Sequence, residues 1–208
     1  MKKFFTYISM LPVDAICRCD YTSDSPRLQG HAIRFPVSAI IEGYTEPGEE
    51  ISVIAVMEKG NADCVRNFDL FTEELDHLSA RLGFTYRLET VEISAEETSE
   101  AHLKAFSALI RHIDDNDIVH ACLTYGTKPT PIVEMMAMNF AYKAKTNVTI
   151  RCIAYGKLNR MNGKPVSAII YDITPLFYMN ELSDQLGKAH IKNPEVFIEN
   201  LLEGGIGK

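Results

Sequence analysis

Ile51-Ser52-Val53-Ile54-Ala55-Val56-Met57 is an apolar run broken only by Ser52. A strand with one wet face would alternate, so this run predicts a strand covered on both faces, as in parallel sheets. Pro47-Gly48 marks a turn before it. After it, Asn61 to Leu82 carries Val65, Phe68, Leu75 and Leu78 at helical spacing, and Gly83 caps the end. The unit is strand, then helix.

Working outward, the alternation continues. Tyr86 to Ile93 reads as a strand. Ser94 to Glu97 has the S-x-x-E form of a capping box and predicts a helix running to about Ile113, with Leu103, Phe106, Leu109, Ile110 and Ile113 as its apolar stripe. Asp114-Asp115-Asn116-Asp117 reads as a polar turn. Ile118 to Leu123 is a second doubly buried strand. Gly126 to Pro131 turns, and a helix follows to about Lys145. Val148 to Tyr155 and Val166 to Asp172 are strands joined through Asn162-Gly163, a hairpin-type turn. Helices are predicted at about 176–189 and 194–203, with Pro194 suited to a first turn. Upstream, Phe4 to Ser9 reads as a strand, 10–34 as a long loop, and Pro36 to Tyr44 as a short helix.

The order β-α-β-α-β-α-β-α-β-β-α-α predicts an α/β fold: a Rossmann-like, mostly parallel sheet with helices on both faces and a C-terminal antiparallel hairpin edge. Residues 1–175 are expected to form one domain, with 176–208 a C-terminal helical extension packed on it.

Composition narrows the function classes. The 208 residues are 46% hydrophobic and 24% charged, an ordinary globular balance. The net charge of −7 argues against a basic face for duplex nucleic acid, though a small anion needs only a local cluster of N–H groups and one or two cations. No apolar run is long enough for a membrane span. Met1 to Met10 reads as a strand, not a signal peptide. The five cysteines are odd in number and irregularly spaced, with Cys122 and Cys152 inside apolar runs, which fits a reducing cytoplasm. Cys17-Arg18-Cys19 with His31 lacks the usual zinc spacing and a second Cys pair, so no metal is expected and the residues read as plain loop.

The sharpest local signal is Cys122-Leu123-Thr124-Tyr125-Gly126-Thr127-Lys128-Pro129-Thr130-Pro131, between a buried strand and a helix. Gly126 permits a tight turn and close approach of a ligand to the backbone. Thr124 and Thr127 offer hydroxyls, and Lys128 adds a charge where helix N-terminal N–H groups already favour an anion. This is a phosphate-recognition pattern without Walker A spacing, and no G-x-G-x-x-G follows the first strand, so no dinucleotide cofactor is expected. A plain turn with a helix cap is the bland alternative.

Thr124-Tyr125-Gly126-Thr127-Lys128 resembles the strand-to-helix turn of CARF (CRISPR-associated Rossmann fold) domains. The exit of the first strand at Ser9-Met10, the Arg34-Phe35-Pro36 entry to the first helix, and Tyr171-Asp172-Ile173-Thr174 at the end of the last strand add to the likeness, which covers essentially the whole chain. Cys122 stands where members often have a polar or acidic residue. The resemblance implies a cytoplasmic homodimer that binds cyclic oligoadenylate, tetra- or hexa-adenylate, across its two-fold axis. It implies ligand contacts from Ser9, Met10, Thr124, Tyr125, Gly126, Thr127 and Lys128. No effector domain is recognisable: neither Arg27 with His31 nor Arg111 with His120 has the spacing of a HEPN ribonuclease.

Two readings follow from the resemblance. In one, the protein is a ring nuclease: the ligand's own 2′-hydroxyl attacks the adjacent phosphate, Lys128 stabilises the developing charge, the Thr127 and Lys128 amides position the phosphate, and Ser9 orients the ribose. His31 and His120 are the nearest candidates for a base. In the other, the same residues bind the messenger without cutting it, as a sensor or sponge acting through a partner. Tyr21, by residue type, is a candidate to cover an adenine. An α/β protein for some other phosphorylated ligand remains a third possibility. Lys157, Arg160 and Lys164 near the hairpin read as a solvated turn.

Overall fold

The computed structural model describes residues 1–205. Its strands are β1 (Lys2–Tyr7), β2 (Cys19–Thr22), β3 (Gly30–Ile33), β4 (Glu50–Glu58), β5 (Thr85–Ile93), β6 (Ile118–Cys122), β7 (Thr149–Met161) and β8 (Lys164–Asp172). Its helices are α1 (Val37–Tyr44), α2 (Ala62–Leu82), α3 (Ser99–Ile110), α4 (Thr130–Ala144), α5 (Thr174–Lys188) and α6 (Pro194–Gly205). All eight strands lie in one sheet, in the order β3-β2-β8-β7-β6-β1-β4-β5. The segment from β7 to β5 is parallel throughout, and the antiparallel pairs are β7 with β8 and β2 with β3. This is the mostly parallel, Rossmann-like α/β fold that the alternation predicts.

The apolar run that announces the fold is the middle of the parallel sheet. Ile51, Val53, Ile54, Ala55 and Val56 are all essentially inaccessible, on both faces of β4. One face shares its core with α1 and α2: Phe4, Ile8, Ile51, Val53 and Ala55 pack with Phe35, Ile40, Phe71 and Leu75. Helices α3 and α4 pack on each other, α3 against β5 and α4 against β7. Right-handed crossovers explain the division, because the chain moves from β1 to β4 to β5 in one direction and from β6 to β7 in the other. Strands β1 and β6 are therefore adjacent with their crossovers leaving on opposite sides, and the space beyond their carboxyl ends is the topological switch point.

Local signals act as their chemistry requires at most boundaries. The Asn61 side chain accepts the Cys64 N–H to start α2, and Gly83 ends it in the left-handed region at φ 76°. Asn162 and Gly163 both have positive φ, 52° and 77°, as a two-residue hairpin turn demands.

Five expectations are corrected. The stretch 10–34 is not a loop: it holds a short 3-10 turn (Val13–Ala15), β2 and β3. Strand β2 adds in parallel to β8, so the β7–β8 hairpin lies inside the sheet and β3 is the edge on that side. These strands have four residues each, too few for a visible period, and their pairing with β8 is a long-range contact. The capping box is not used. Ser94 Oγ accepts the Glu96 amide in a turn, and Thr98 caps α3 by accepting the Ala101 N–H. That helix also stops at Ile110, and β7 continues to Met161.

The chain divides into two compact units, Met1–Thr174 and a second beginning at Pro175. The first holds the whole sheet. The second is the helical stretch of α5 and α6, where Phe177 and Tyr178 meet edge to face with ring centroids 5.3 Å apart.

Candidate functional site

The β6–α4 turn is built by hydrogen bonds to its neighbours. Leu123 N–H donates to the Ala154 carbonyl, continuing the ladder one residue past β6. Thr124 Oγ1 accepts the Gly156 N–H at 2.8 Å and sits 3.2 Å from Cys122 Sγ. Its hydroxyl thus fastens the turn to β7. Tyr125 folds inward. Its hydroxyl donates to the Arg34 carbonyl at 3.0 Å and its ring meets Phe35 edge to face, while burial pushes the phenol well above its ordinary range.

Gly126 then takes φ 106°, and a Cβ there would come within 2.6 Å of Thr130 Cγ2. Here both the backbone angle and the space require glycine. Thr127 N–H donates to Thr130 Oγ1 at 3.0 Å, and the two hydroxyls lie 3.1 Å apart. Thr130, the buried first residue of α4, therefore anchors the turn from inside the helix. Sequence reasoning missed it, although a Thr three residues after Thr127 at a helix start was a usable signal.

What remains free is the Gly126 and Lys128 amides and the Lys128 ammonium. Among the described residues none of these has a hydrogen-bond or ion-pair partner, and Lys128 is exposed. Two N–H groups and one cation at a switch point, just before a helix, are donors of the kind that an anion takes. The Thr127 amide, expected to share that task, is occupied by Thr130.

The exit of β1 reaches the same place. Ser9 is buried; its Oγ accepts the Leu11 N–H at 3.2 Å, and its carbonyl accepts from Asn67 Nδ2 at 2.8 Å. Asn67 also donates to the Leu11 carbonyl, so this inaccessible α2 residue shapes the loop. Met10, Gly126 and Thr127 line one narrow cleft, with room for about 30 Å³, between the ends of β1, β4 and β5 and the starts of α3 and α4. Ser9, Thr124, Tyr125 and Lys128 do not line it. Tyr21 is packed in the core at 4% exposure and has no free face to offer a base.

The cleft has its own electrostatics. Glu58, Glu96 and Glu97 are on its wall, with His102. Its floor includes Tyr7. Close to Tyr7 lies Glu134 of α4, completely buried, with neither carboxylate oxygen hydrogen-bonded. Burial alone pushes its carboxyl up to about 8, so at neutral pH it is mostly a neutral acid. Burial, with the nearby Glu134, also raises the Tyr7 phenol. No local pattern marks Glu134, because it occupies an ordinary apolar-face position of an amphipathic helix. Cys122 is inert: burial pushes its thiol up to about 12.

Neither histidine considered as a base reaches the turn. His120 is buried, stacked on Phe4 at 4.4 Å and tilted against Tyr44, and burial lowers its imidazole to about 4. His31 is on the edge strand β3, exposed, with Asp20 at 3.9 Å. Among the described residues no group of three or more His, Cys, Asp or Glu side chains is placed to hold a metal ion. The chain matches no family model and no curated protein.

Proposed function

We propose that the protein binds a cyclic oligoadenylate at the β1/β6 switch point, with a phosphate on the Gly126 and Lys128 amides and the Lys128 ammonium. The observation that carries this is the partnerless cation and amides of that turn. The choice of ligand rests on the resemblance of Thr124–Lys128 and the strand order to CARF domains. The apolar side chains exposed on α3 and α4 beside the cleft, Leu103, Ile132, Met136 and Phe140, support a homodimer that would present the turn twice to a symmetric ring. A cytoplasmic protein is part of the same reading; no described helix is long and apolar enough to cross a membrane.

The activity proposed is ring opening. The ligand's 2′-hydroxyl attacks the adjacent phosphorus and gives its proton to water, the P–O5′ bond breaks, the 5′-oxygen takes a proton from water, and a linear product with a 2′,3′-cyclic phosphate forms. The protein's part is to hold those atoms in line and to stabilise the phosphoryl oxygens as charge develops, which falls to Lys128 and the free amides. Ser9 contributes by setting the loop that carries Met10, since its hydroxyl is turned to the Leu11 amide. The alternative, binding without cleavage, is favoured by the engagement of the Ser9, Thr124 and Thr127 hydroxyls, by the burial of His120 against Phe4 and by the place of His31 on β3 beside Asp20.

Incubation with cyclic tetra- and hexa-adenylate separately, with products resolved by chromatography and mass spectrometry, decides between them. Linear products lost in Lys128→Ala establish the nuclease. Intact ligand that co-elutes with the protein establishes the sensor or sponge. Neither binding nor cleavage of either ring removes the cyclic oligoadenylate reading and leaves an anion site for some other phosphorylated compound.

A further inference from the structure

Away from the cleft, Cys17 and Cys19 bring their sulfurs to 3.5 Å, and both residues are partly exposed. Two residues apart in extended chain, they share one face. Arg160 of β7 reaches over them: Nη2 donates to the Ala15 carbonyl and lies 3.7 Å from Cys17 Sγ, while Nη1 donates to the Gly163 carbonyl at 3.1 Å. The three other cysteines, Cys64, Cys122 and Cys152, are buried and separate from this pair.

We propose that Cys17 and Cys19 form a peroxide-responsive dithiol, with Cys17 the attacking sulfur and Cys19 the resolving one. The Arg160 guanidinium is 3.7 Å from Cys17 Sγ, and the neighbouring Cys19 S–H can donate to that sulfur. Burial and the adjacent Cys17 sulfur push the Cys19 thiol up to about 11, against the lowering effect of the Arg160 charge. The contact of Arg160 with the Cys17 sulfur divides the roles.

The chemistry balances. The Cys17 thiolate attacks one oxygen of hydrogen peroxide, the O–O bond breaks, and the departing hydroxide takes up the thiol's proton to leave as water. Cys17 is then a sulfenic acid. The Cys19 sulfur attacks it, the S–O bond breaks, and the second oxygen leaves as water with the Cys19 proton. Two sulfurs lose two electrons in total, and one peroxide becomes two waters. A free thiol reverses the bond by exchange. The sulfurs must close from 3.5 Å to a bond of about 2 Å; Cys19 is paired with Ile33, while Cys17 lies before β2 and outside that ladder, so the movement falls to Cys17.

Arg18 between the two cysteines makes a direct test possible. The folded full-length protein is treated with hydrogen peroxide, blocked with iodoacetamide, unfolded and digested with trypsin without reductant. The expected result is peptides 4–18 and 19–27 joined by a disulfide and separated by dithiothreitol, or 4–27 uncut and lighter by two hydrogens, which dithiothreitol reduces and further trypsin then cuts into the two peptides. Arg160→Met is expected to slow formation severalfold, the effect of removing a cation beside a thiolate. Cys17→Ser should abolish it and leave Cys19 alkylated. Separate alkylated peptides after peroxide, an intermolecular link through either cysteine, or a sulfinic acid in place of the disulfide overturns the proposal. An unchanged rate in Arg160→Met overturns the role given to the guanidinium.

Discussion

The Thr127 amide donates to Thr130 Oγ1 at 3.0 Å, so the candidate anion-binding turn is held from within the helix that follows it. The flanking Gly126 and Lys128 amides have no hydrogen-bond partner among the described residues. Thr130→Val keeps the shape and removes the acceptor. It should cost about 1–3 kcal/mol, the penalty for a polar group that loses its partner in a half-buried turn, read from the shift in the urea midpoint at constant slope. An unchanged midpoint means the amide finds another acceptor.

Lys128 has the opposite profile. It is exposed and unpaired, so Lys128→Ala should leave the melting temperature where it is. Affinity for cyclic oligoadenylate, measured by calorimetry, should fall at least tenfold, and its salt dependence should weaken. A loss of stability alongside affinity would mean that the lysine supports the fold instead.

Glu134 makes stability depend on pH. Its folded value, about 8, is above the unfolded one near 4.5, so the folded state holds the extra proton between them. Stability is full below about 4.5 and is lost as pH rises towards 8, with a slope of at most ~1.4 kcal/mol per pH unit. Glu134→Gln imitates the neutral acid. Its stability relative to the parent should be similar at pH 5 and higher at pH 8, in denaturant titrations at both. Parallel curves for the two proteins across that range would sink the assignment.

His120 acts in the other direction. Burial depresses it to about 4 from 6.5, so the imidazole is neutral in the fold and charges on unfolding. Stability is full above about 6.5 and is lost as pH falls towards 4. His120→Phe, which keeps an aromatic ring against Phe4, should flatten the acid limb of the stability curve. Equal acid sensitivity in parent and variant would place the titrating group elsewhere.

Much of this protein was legible before any coordinates. The runs at Ile51–Met57 and Ile118–Leu123 announced doubly covered strands because both faces of each had to be apolar. Gly126 was readable as a turn because only glycine tolerates both its φ and its contact with Thr130. Other residues were chosen by type and misplaced by direction. Tyr21, suited by type to cover a base, is in the core, and Tyr125, a ligand contact implied by the resemblance, bonds the Arg34 carbonyl. Ser9 is in the right loop, with its hydroxyl spent on Leu11.

The amino-acid sequence by itself determined the alternation of strands and helices, the parallel core and the position of the β6–α4 turn, because periodicity and turn chemistry act over a few residues. Tertiary structure alone decided that 19–33 would extend the sheet beyond β8, since Tyr21 finds its partner Ala168 far along the chain. It alone decided that Glu134 would be sealed beside Tyr7 and that Cys17 and Cys19 would meet under Arg160. Burial and long-range proximity are properties of the packed chain, and no local pattern carries them.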